Sequence, residues 1–314
     1  MLPLLLLPAT AGCVTVHGER EIIPSVSRAE AGEVLARFTA GYTEAYRRLD
    51  PALVDRVETG ALAEIGRADV AEQRARLPKG RSANPGYPAL KLDDARFTIP
   101  KSAGWPKFFL ADTRSNRDRN RWLVVFARAG ARAPWKAAYL TLHAPGSVPA
   151  FRTDREGWAV PAGDGLVLAP GAVSGAYADF LRTGAGDVFA PSGPTTQTRA
   201  DRARLARTPS FRTDWIDTAA GAPDFPAVSL RTADGGAVVF FAAHHREKRT
   251  MARGVRPGVT ERRTKALLSG SLRTAITYTR VSESAVRVPA GPAGGRGRVQ
   301  FLNRIESLVA ARGE

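Results

Sequence analysis

The chain of 314 residues contains a single cysteine, Cys13. One thiol cannot form an internal disulfide, and it cannot supply the paired Cys-x-x-Cys ligands of a structural zinc site. The four histidines include no His-x-x-x-His pair, which is the spacing of many helical zinc sites. The sequence therefore predicts no metal site and no cofactor.

The sequence also lacks the common catalytic motifs. It has no Gly-x-Ser-x-Gly motif, so the nucleophile turn of the α/β-hydrolases is absent. The glycine-rich segment 291–297 lies between two predicted strands instead of at the start of a helix, so it does not predict a phosphate-binding loop. No catalytic residue is predicted from these patterns.

Cys13 directly follows an apolar segment, MLPLLLLPATAG. This arrangement is typical of a bacterial lipoprotein signal, with cleavage before Cys13 and an acyl group on its sulfur. Two features depart from that pattern: the segment has no Lys or Arg, and Thr10 stands where Leu is preferred. The run is too short to cross a bilayer as a helix, so the alternatives are the tail of a longer membrane segment or a buried strand.

The preferred interpretation places the protein outside the cytoplasm, anchored to the cell membrane. Residues 1–13 form the signal ending at the lipidated Cys13, and residues 14–26, which show no regular period, form a tether. The membrane, reached through the lipid, is the first predicted partner.

The net charge of +16 is spread along the chain. Residues 1–160 carry 24 basic and 17 acidic side chains, and residues 161–314 carry 22 and 13. Neither half is a dedicated basic module, so nucleic acid is not the predicted partner. An exported basic protein meets anionic lipid and anionic cell-wall polymer, and these are the expected partners, with a small-molecule ligand as a further option.

The first half predicts helices followed by strands. Ser27 and Glu30 form a capping box at the start of a helix. Its apolar stripe comprises Val34, Phe38, Tyr42, Ala45 and Leu49. Asp50 and Pro51 begin a second helix, and residues 60–77 form a third. Strands are predicted at 95–100, 108–112, 122–128 and 135–143, of which 122–126 is apolar on both faces and therefore central.

The second half repeats this order. A helix is expected around 173–181 and a weaker, basic one at 199–207. Strands are predicted at 211–215, 227–232, 237–244, 272–281, 285–288 and 298–309. We interpret the repeat as a tandem duplication of α+β domains, residues 27–160 and 161–314; the alternative is that two α+β domains share such patterns by chance.

Several segments resemble a family of actinobacterial lipoproteins of unknown function. They are AGCVTVHGE, SRAEAGEVLARFTAGY, LDPALVDRVETGAL, GWPKFFLADT, RTDREGWA and FFAAHHREKRTMARGVRP. A helical hairpin and a third helix on a curved antiparallel sheet resemble the NTF2-like, or cystatin-like, cone fold, which would occur twice here. The resemblance implies a fold and a location but no catalytic residues.

The strongest candidate for contact with anions is the segment 246–265, which is predicted to be a loop. It carries eight basic and two acidic side chains. The basic residues are Arg246, Lys248, Arg249, Arg253, Arg256, Arg262, Arg263 and Lys265. The alternative is a solvated loop whose charges only keep the protein soluble.

Cone folds often hold a ligand between helices and sheet, and six residues are candidates to line such cavities. Tyr42, Tyr46, Asp112 and His143 are assigned to the first half, and Tyr177 and His244 to the second. For each of them a structural role is the alternative, since Tyr42 belongs to the core stripe and Asp112 ends a strand. Because neighbouring strand residues point to opposite faces, His244 and His245 cannot both face one cavity.

Three functions remain open at this point. The first is a non-enzymatic ligand-binding or interaction module tethered at the cell envelope. The second is a small-molecule isomerase or hydrolase with an acid/base site inside one cone. A deep cavity with a buried Asp or His beside a Tyr hydroxyl would favour the second. The third, cytoplasmic nucleic-acid binding, requires that the apolar start is not a signal and that the Arg residues gather on one face.

Overall fold

The computed structural model describes residues 21–314, so the predicted signal, Cys13 and most of the tether lie outside the described residues. The chain is α+β, as predicted. The helices are α1 (Arg28–Arg48), α2 (Pro51–Val57), α3 (Gly60–Ala75), α4 (Val173–Thr183), α5 (Thr198–Leu205) and α6 (Arg262–Leu267). The strands are β1 (Ile23–Pro24), β2 (Leu92–Thr98), β3 (Lys101–Ser102), β4 (Lys107–Ser115), β5 (Arg121–Arg128), β6 (Lys136–His143), β7 (Phe211–Ala219), β8 (Val228–Arg231), β9 (Ala237–Met251), β10 (Leu268–Gly270), β11 (Ala275–Val288) and β12 (Gln300–Gly313).

The first two helices begin at the capping residues that the sequence predicted. Ser27 Oγ accepts a hydrogen bond from the Glu30 amide at 3.1 Å and caps α1. Asp50 caps α2 in the same way through the Ala52 amide at 2.9 Å. Leu49 ends α1 in the left-handed conformation, at φ 52°, while its side chain is fully buried.

The first sheet is antiparallel in the order β2-β4-β5-β6. The predicted central strand is confirmed, because β5 lies between β4 and β6 and residues 123–126 have no exposed surface. Beside this sheet, β1 pairs with β3 and fixes the start of the described chain, with Pro24 opposite Lys101.

The second sheet has the order β10-β12-β11-β9-β7, with β8 pairing with β9. Two predicted strands, 272–281 and 285–288, are one strand, β11, which runs through the polar residues between them. The predicted strand 237–244 continues to Met251, because β9 pairs along its whole length with β11 and, in its second half, with β7.

This extension corrects the prediction of a basic loop at 246–265. Arg246, Lys248 and Arg249 lie within β9, and Arg262, Arg263 and Lys265 belong to α6. Only residues 252–261 form a loop. The basic side chains are therefore displayed by a sheet, a turn and a short helix.

The layers are stacked in the order helix, sheet, sheet, helix. One face of the first sheet, including Phe109 and Phe126, packs under α1. Its other face, including Val125, meets Phe240 of the second sheet in a core shared by the two halves. The far face of the second sheet, including Phe241, packs against α4.

Hydrogen bonds also join the halves. The amide of Leu140 on the edge strand β6 donates to Glu283 Oε2 at 3.1 Å, and that of Leu142 donates to Asn303 Oδ1 at 3.1 Å. Side chains of the second sheet thus satisfy edge amides that would otherwise be free to pair with another chain. The boundary at residue 160 stays a prediction, and the connecting segment is bonded to both halves: the Ala159 amide donates to Ile99 O, and Val160 O accepts from the Arg231 amide, both at 2.9 Å.

Candidate functional site

Exposed cations gather at one end of the second sheet. The ends of β9, β11 and β12 and the neighbouring turns meet there, as shown by hydrogen bonds from the Met251 amide to Thr274 O (2.8 Å) and from the Ala252 amide to Ser210 O (2.9 Å). We call this region the basic end. Its exposed cations are Arg207, Arg212, Arg246, Lys248, Arg253, Arg256, Arg262, Lys265, Arg273 and Arg312.

Five of the eight predicted anion contacts are available for a ligand. In residues 21–314, no carboxylate oxygen lies within 4.0 Å of a charged nitrogen in these five side chains, all of which are exposed. They are Arg246, Arg253, Arg256, Arg262 and Lys265. Such cations keep their full charge for a partner.

The other three predicted contacts already have partners. Lys248 pairs with Glu314 at 2.5 Å. Arg249 pairs with Glu247 at 2.5 Å, and its guanidinium lies 5.2 Å from the ring centroids of Phe211 and of Tyr278. Arg263 is bound by carboxylates of α3, Asp69 at 2.6 Å and Glu72 at 2.9 Å, and only 16% of its side chain is exposed. We therefore assign Arg263 to the junction between the halves.

Sequence reasoning missed four members of the basic end. Arg207 bridges to Arg212 across a turn, Arg312 lies opposite Thr277, and the Arg273 amide donates to Glu314 O at 3.1 Å. These residues are up to 105 positions apart (312 − 207). Only the pairing of the strands brings them together, and no local pattern in the sequence signals it.

A buried polar cluster lies on the α4 face of the same sheet. Asp217, His245 and Ser282 come from the adjacent strands β7, β9 and β11. His245 Nδ1 lies 2.6 Å from Asp217 Oδ1, and His245 Nε2 lies 2.9 Å from Ser282 Oγ. These separations are those of a Ser-His-Asp triad.

The environment of the cluster does not suit catalysis. Ser282 has no exposed surface, so no substrate reaches its Oγ in this conformation. His245 Nε2 is also 3.2 Å from Arg304 Nη2, which competes with the serine hydroxyl for the same lone pair. Burial outweighs the hydrogen bond that His245 donates to Asp217 and lowers the pKa of His245. Although burial opposes ionisation of Asp217, hydrogen bonds from His245 and Arg202 lower the pKa of this carboxyl.

The structure separates Tyr177 from His244, which corrects their assignment to one cavity. The ring of Tyr177 packs edge-on against His245 with centroids 6.1 Å apart, and its hydroxyl donates to Pro194 O at 2.7 Å. Burial raises the pKa of Tyr177 to about 12. His244 points to the opposite face, where its Nε2 lies 3.1 Å from Glu64 Oε2 of α3.

Tyr42 and Tyr46 lie in an aromatic stack. The ring of Tyr46 stacks on Tyr42 at 4.4 Å and on Tyr87 at 5.0 Å between centroids. Its hydroxyl donates to Asp69 Oδ2 at 3.2 Å. Burial raises the pKa of both Tyr42 and Tyr46 well above the ordinary range, so both hydroxyls are neutral. The packing of the Tyr42 and Tyr46 rings supports a structural role for both residues.

Asp112 and His143 lie on neighbouring parts of the first sheet but have separate partners. Asp112 Oδ1 accepts from Arg121 Nε at 2.6 Å, and Asp112 lines an open cleft of about 480 Å³ that four arginines also line. His143 is buried, with its Nε2 3.1 Å from Thr141 Oγ1, and burial lowers its pKa. Asp112 is thus already paired with Arg121 and His143 does not line the cleft, so the structure does not bring these two residues together as an acid/base pair.

Two buried glutamates, which sequence reasoning missed, lie between the halves. Glu283 is 1% exposed, and burial raises its pKa to about 8. Glu58 is 2% exposed; burial first, and then the nearby charge of Glu283, raise its pKa well above the ordinary value. Gly66 has no side chain and so leaves room for the carboxyl of Glu58. A Cβ at position 66 would lie only 2.4 Å from Glu58 Oε2. Glu283 is therefore mostly protonated at neutral pH, and burial disfavours the ionised form of Glu58 in the same way.

Comparison with known proteins places the chain in a family. Residues 23–313 match a family described as a domain of unknown function, DUF8094. The chain is similar to an uncharacterized lipoprotein of Streptomyces avermitilis, 43% identical over 307 residues, which are 97% of this chain and 91% of the relative. It is also similar to two uncharacterized lipoproteins of Streptomyces coelicolor, 42% identical over 308 residues (97% of this chain, 91% of the relative) and 30% identical over 286 residues (85% and 78%). No solved structure matches.

The chain belongs to this family. The predicted lipoprotein family and its extracytoplasmic, membrane-anchored location are thus confirmed. Within residues 21–314, no helix is long and apolar enough to cross a membrane. In the same part of the chain, no group of three or more His, Cys, Asp or Glu side chains is arranged to hold a metal ion.

Proposed function

We propose that this DUF8094 lipoprotein is held at the outer face of the membrane by acyl groups on Cys13 and binds anionic groups through the basic end, without catalysing a reaction. The observation that carries the proposal is the group of five exposed cations with no carboxylate partner among the described residues. Their ligand has repeated negative charges, as an anionic lipid surface or a cell-wall polymer does. Binding releases the counterions of such a ligand, and this release supplies much of the affinity.

The second candidate function is an isomerase or hydrolase in the second half. One observation favours it, the chain of contacts from Asp217 through His245 to Ser282. The complete burial of Ser282 and the competing contact of Arg304 weigh against it. We therefore favour a structural role for this cluster and a binding role for the protein.

We also propose that residues 27–160 and 161–314 are tandem NTF2-like domains. Each half has helices followed by four antiparallel strands in sequential order, β2-β4-β5-β6 in the first and β7-β9-β11-β12 in the second. Three pairs lie outside that common pattern: β1-β3, β8-β9 and the parallel pair β10-β12. The shared core then represents the contact between two duplicated units.

The proposed anchor makes a direct prediction. Cys13→Ser should move the protein from the membrane fraction to the soluble extracytoplasmic fraction, because the oxygen of serine does not replace the acylated sulfur. Intact mass spectrometry of the wild-type protein extracted from membranes should show a chain beginning at Cys13 and carrying lipid. An unmodified chain still beginning at Met1 would contradict the anchor.

The basic end is tested by removing three of its cations. Arg253, Arg256 and Arg273 replaced together by Gln should weaken binding to inorganic polyphosphate and to phosphatidylglycerol vesicles by about 100-fold, since each cation near an anionic surface contributes about 1 kcal/mol. Affinity is measured by fluorescence anisotropy and by vesicle co-sedimentation.

The matched control removes the same charge elsewhere. Arg81, Arg132 and Arg155 are exposed and lie in the first half and the connecting segment. Their joint replacement by Gln should change affinity by less than about threefold, because none of the three belongs to the basic end and salt screens charges that lie more than about 10 Å from a ligand. Equal losses of affinity in the two triple variants would show that binding depends only on the net charge of the protein. That result would contradict the role of the basic end.

A further inference from the structure

We infer that the basic end lies on the side of the molecule opposite the membrane anchor and that its partner is an anionic polymer beyond the bilayer. The inference rests on the proposed function. The two candidate sources of negative charge are a cell-wall polymer and the lipid headgroups of the anchoring membrane. The inference selects the polymer and excludes the headgroups.

The chain enters the fold beside the first sheet. Pro24 pairs with Lys101, and the Ser25 amide donates to Pro100 O at 2.9 Å. Pro100 in turn bridges to Ala159 in the segment that connects the halves. These contacts fix the entry point next to Ala159.

The connecting segment leads from the entry point to the start of β9. Val160, the neighbour of Ala159, accepts a hydrogen bond from the Arg231 amide at 2.9 Å. Arg231 on β8 lies opposite Ala237, the first residue of β9. The entry point and the start of β9 are therefore at the same end of the second sheet.

The basic end is at the other end of β9. This strand has 15 residues and finishes at Met251, so its ends are about 45 Å apart at about 3.3 Å per residue. The first helix gives an independent measure. It starts just after the entry point, and near its other end Tyr46 contacts Asp69, which also binds Arg263 of α6. A helix of 21 residues is about 30 Å long.

The tether is shorter than this separation. Eight peptide steps join Cys13 to Glu21, and their fully extended reach is at most about 28 Å. The tether thus limits the entry point to within about 28 Å of the lipid, while the cations lie about 45 Å from the entry point along the sheet. At the entry point, Lys101 is already neutralised by Glu156 at 2.8 Å and Asp154 at 3.5 Å. Three exposed arginines without a carboxylate partner among the described residues, Arg28, Arg152 and Arg155, also lie on the entry side. The basic end has eight such cations, so most of the unpaired charge lies away from the entry point.

A linear polymer with closely spaced phosphates or carboxylates fits this surface. The unpaired cations are distributed over the end of β9, the turn 252–261 and α6, so one small anion cannot contact all of them. A flexible chain with repeated charges can bind several cations in succession, and each contact adds to the counterion release.

Two labelled variants of the acylated protein test the orientation. Gly258→Cys marks the basic end and Gly163→Cys marks the entry side; at both positions a Cβ would meet no heavy atom within 4 Å, and every cation is kept. Because Cys13 carries the lipid, the new cysteine is the only free thiol for a fluorescent donor. The protein is anchored in phosphatidylcholine vesicles that contain an acceptor-labelled lipid.

Energy transfer to the membrane should be high from position 163 and at least threefold lower from position 258. Replacing phosphatidylcholine by phosphatidylglycerol should leave the transfer from 258 unchanged, and soluble polyphosphate should raise the anisotropy of that label. Equal transfer from the two positions, or an increase at 258 with phosphatidylglycerol, would overturn the orientation and assign the basic end to the bilayer. A remote label that does not respond to polyphosphate would instead contradict the proposed anion binding itself.

Discussion

Replacing Glu283 with Gln is expected to remove most of the stability loss that the wild-type protein undergoes between pH 4.5 and pH 8. The pKa of Glu283 is raised from 4.5 to about 8 because the carboxyl is buried between the two halves. Between these values the folded protein keeps a proton that the unfolded chain releases. The free energy of unfolding therefore falls as the pH rises, and the contribution is fully present only below pH 4.5.

The effect should be large. Raising this pKa from 4.5 to about 8 corresponds to about 5 kcal/mol, so Glu283→Gln should gain about that much over wild type on going from pH 4.5 to pH 9. The amide oxygen can still accept from the Leu140 amide, so the variant keeps the native hydrogen bond. Urea unfolding at several pH values measures the difference.

Two further variants complete this test. Glu58→Gln should act in the same direction, because burial and the charge of Glu283 raise the pKa of Glu58. Glu33→Gln, at a side chain that is 70% exposed, should leave the pH profile of the wild type unchanged. Parallel pH profiles for Glu283→Gln and wild type would show that Glu283 ionises normally in the folded protein.

Asp217→Ala is expected to lower the free energy of unfolding by about 3 to 5 kcal/mol. The side chain is 2% exposed and binds both Arg202, at 2.5 and 2.9 Å, and His245, at 2.6 Å. Its removal leaves a partly buried guanidinium and a buried imidazole without their acceptor. Ser282→Ala removes one neutral hydrogen bond and should cost about 1 kcal/mol.

The same pair of variants separates the structural role of the cluster from a catalytic role. We expect Ser282 in the folded protein to resist labelling by a fluorophosphonate probe, since no part of its side chain is exposed. Rapid labelling that Ser282→Ala abolishes would show that the cluster opens to solvent and works as a nucleophile. Equal stability of Asp217→Ala and wild type would contradict the structural role.

Local patterns predicted the first two helices and the central strand well. The capping residues Ser27 and Asp50 act through hydrogen bonds that span two or three residues, so the sequence alone contains the interaction. The strand β5 was recognisable because both of its faces are apolar and both are covered. In each case, the interaction that forms the element lies within a few residues or follows from the apolar composition of the segment.

The limits of β9 and β11 depended on contacts that are distant in sequence. The charged stretch after His244 looked like a loop, but Arg280 reaches across from β11 to Glu247 at 2.7 Å and stabilises it as a strand. The polar triplet 282–284 separates two predicted strands in the sequence, whereas in the structure Ser282 and Glu283 point to opposite faces of one strand, toward His245 and Leu140 respectively. A polar residue in a strand is acceptable when a distant partner satisfies it.

The candidate site was predictable only in part. The rule that neighbouring strand residues alternate correctly separated the two histidines, but the sequence does not say which of them faces Tyr177. The basic segment was visible as a cluster of charge. Its extension to Arg273 and Arg312, and the pairing of Arg263 with the first half, required the strand pairing and the contact between the halves.

The salt dependence of polyphosphate binding tests the central claim most directly. If the cations of the basic end contact the polymer, the wild-type affinity should fall steeply and linearly with salt on a double-logarithmic plot. The triple variant of Arg253, Arg256 and Arg273 should have a slope smaller in magnitude by about 2 to 3, one contact for each lost cation. The same slope for both proteins, or no binding by the wild type at about 50 mM salt, would contradict the account.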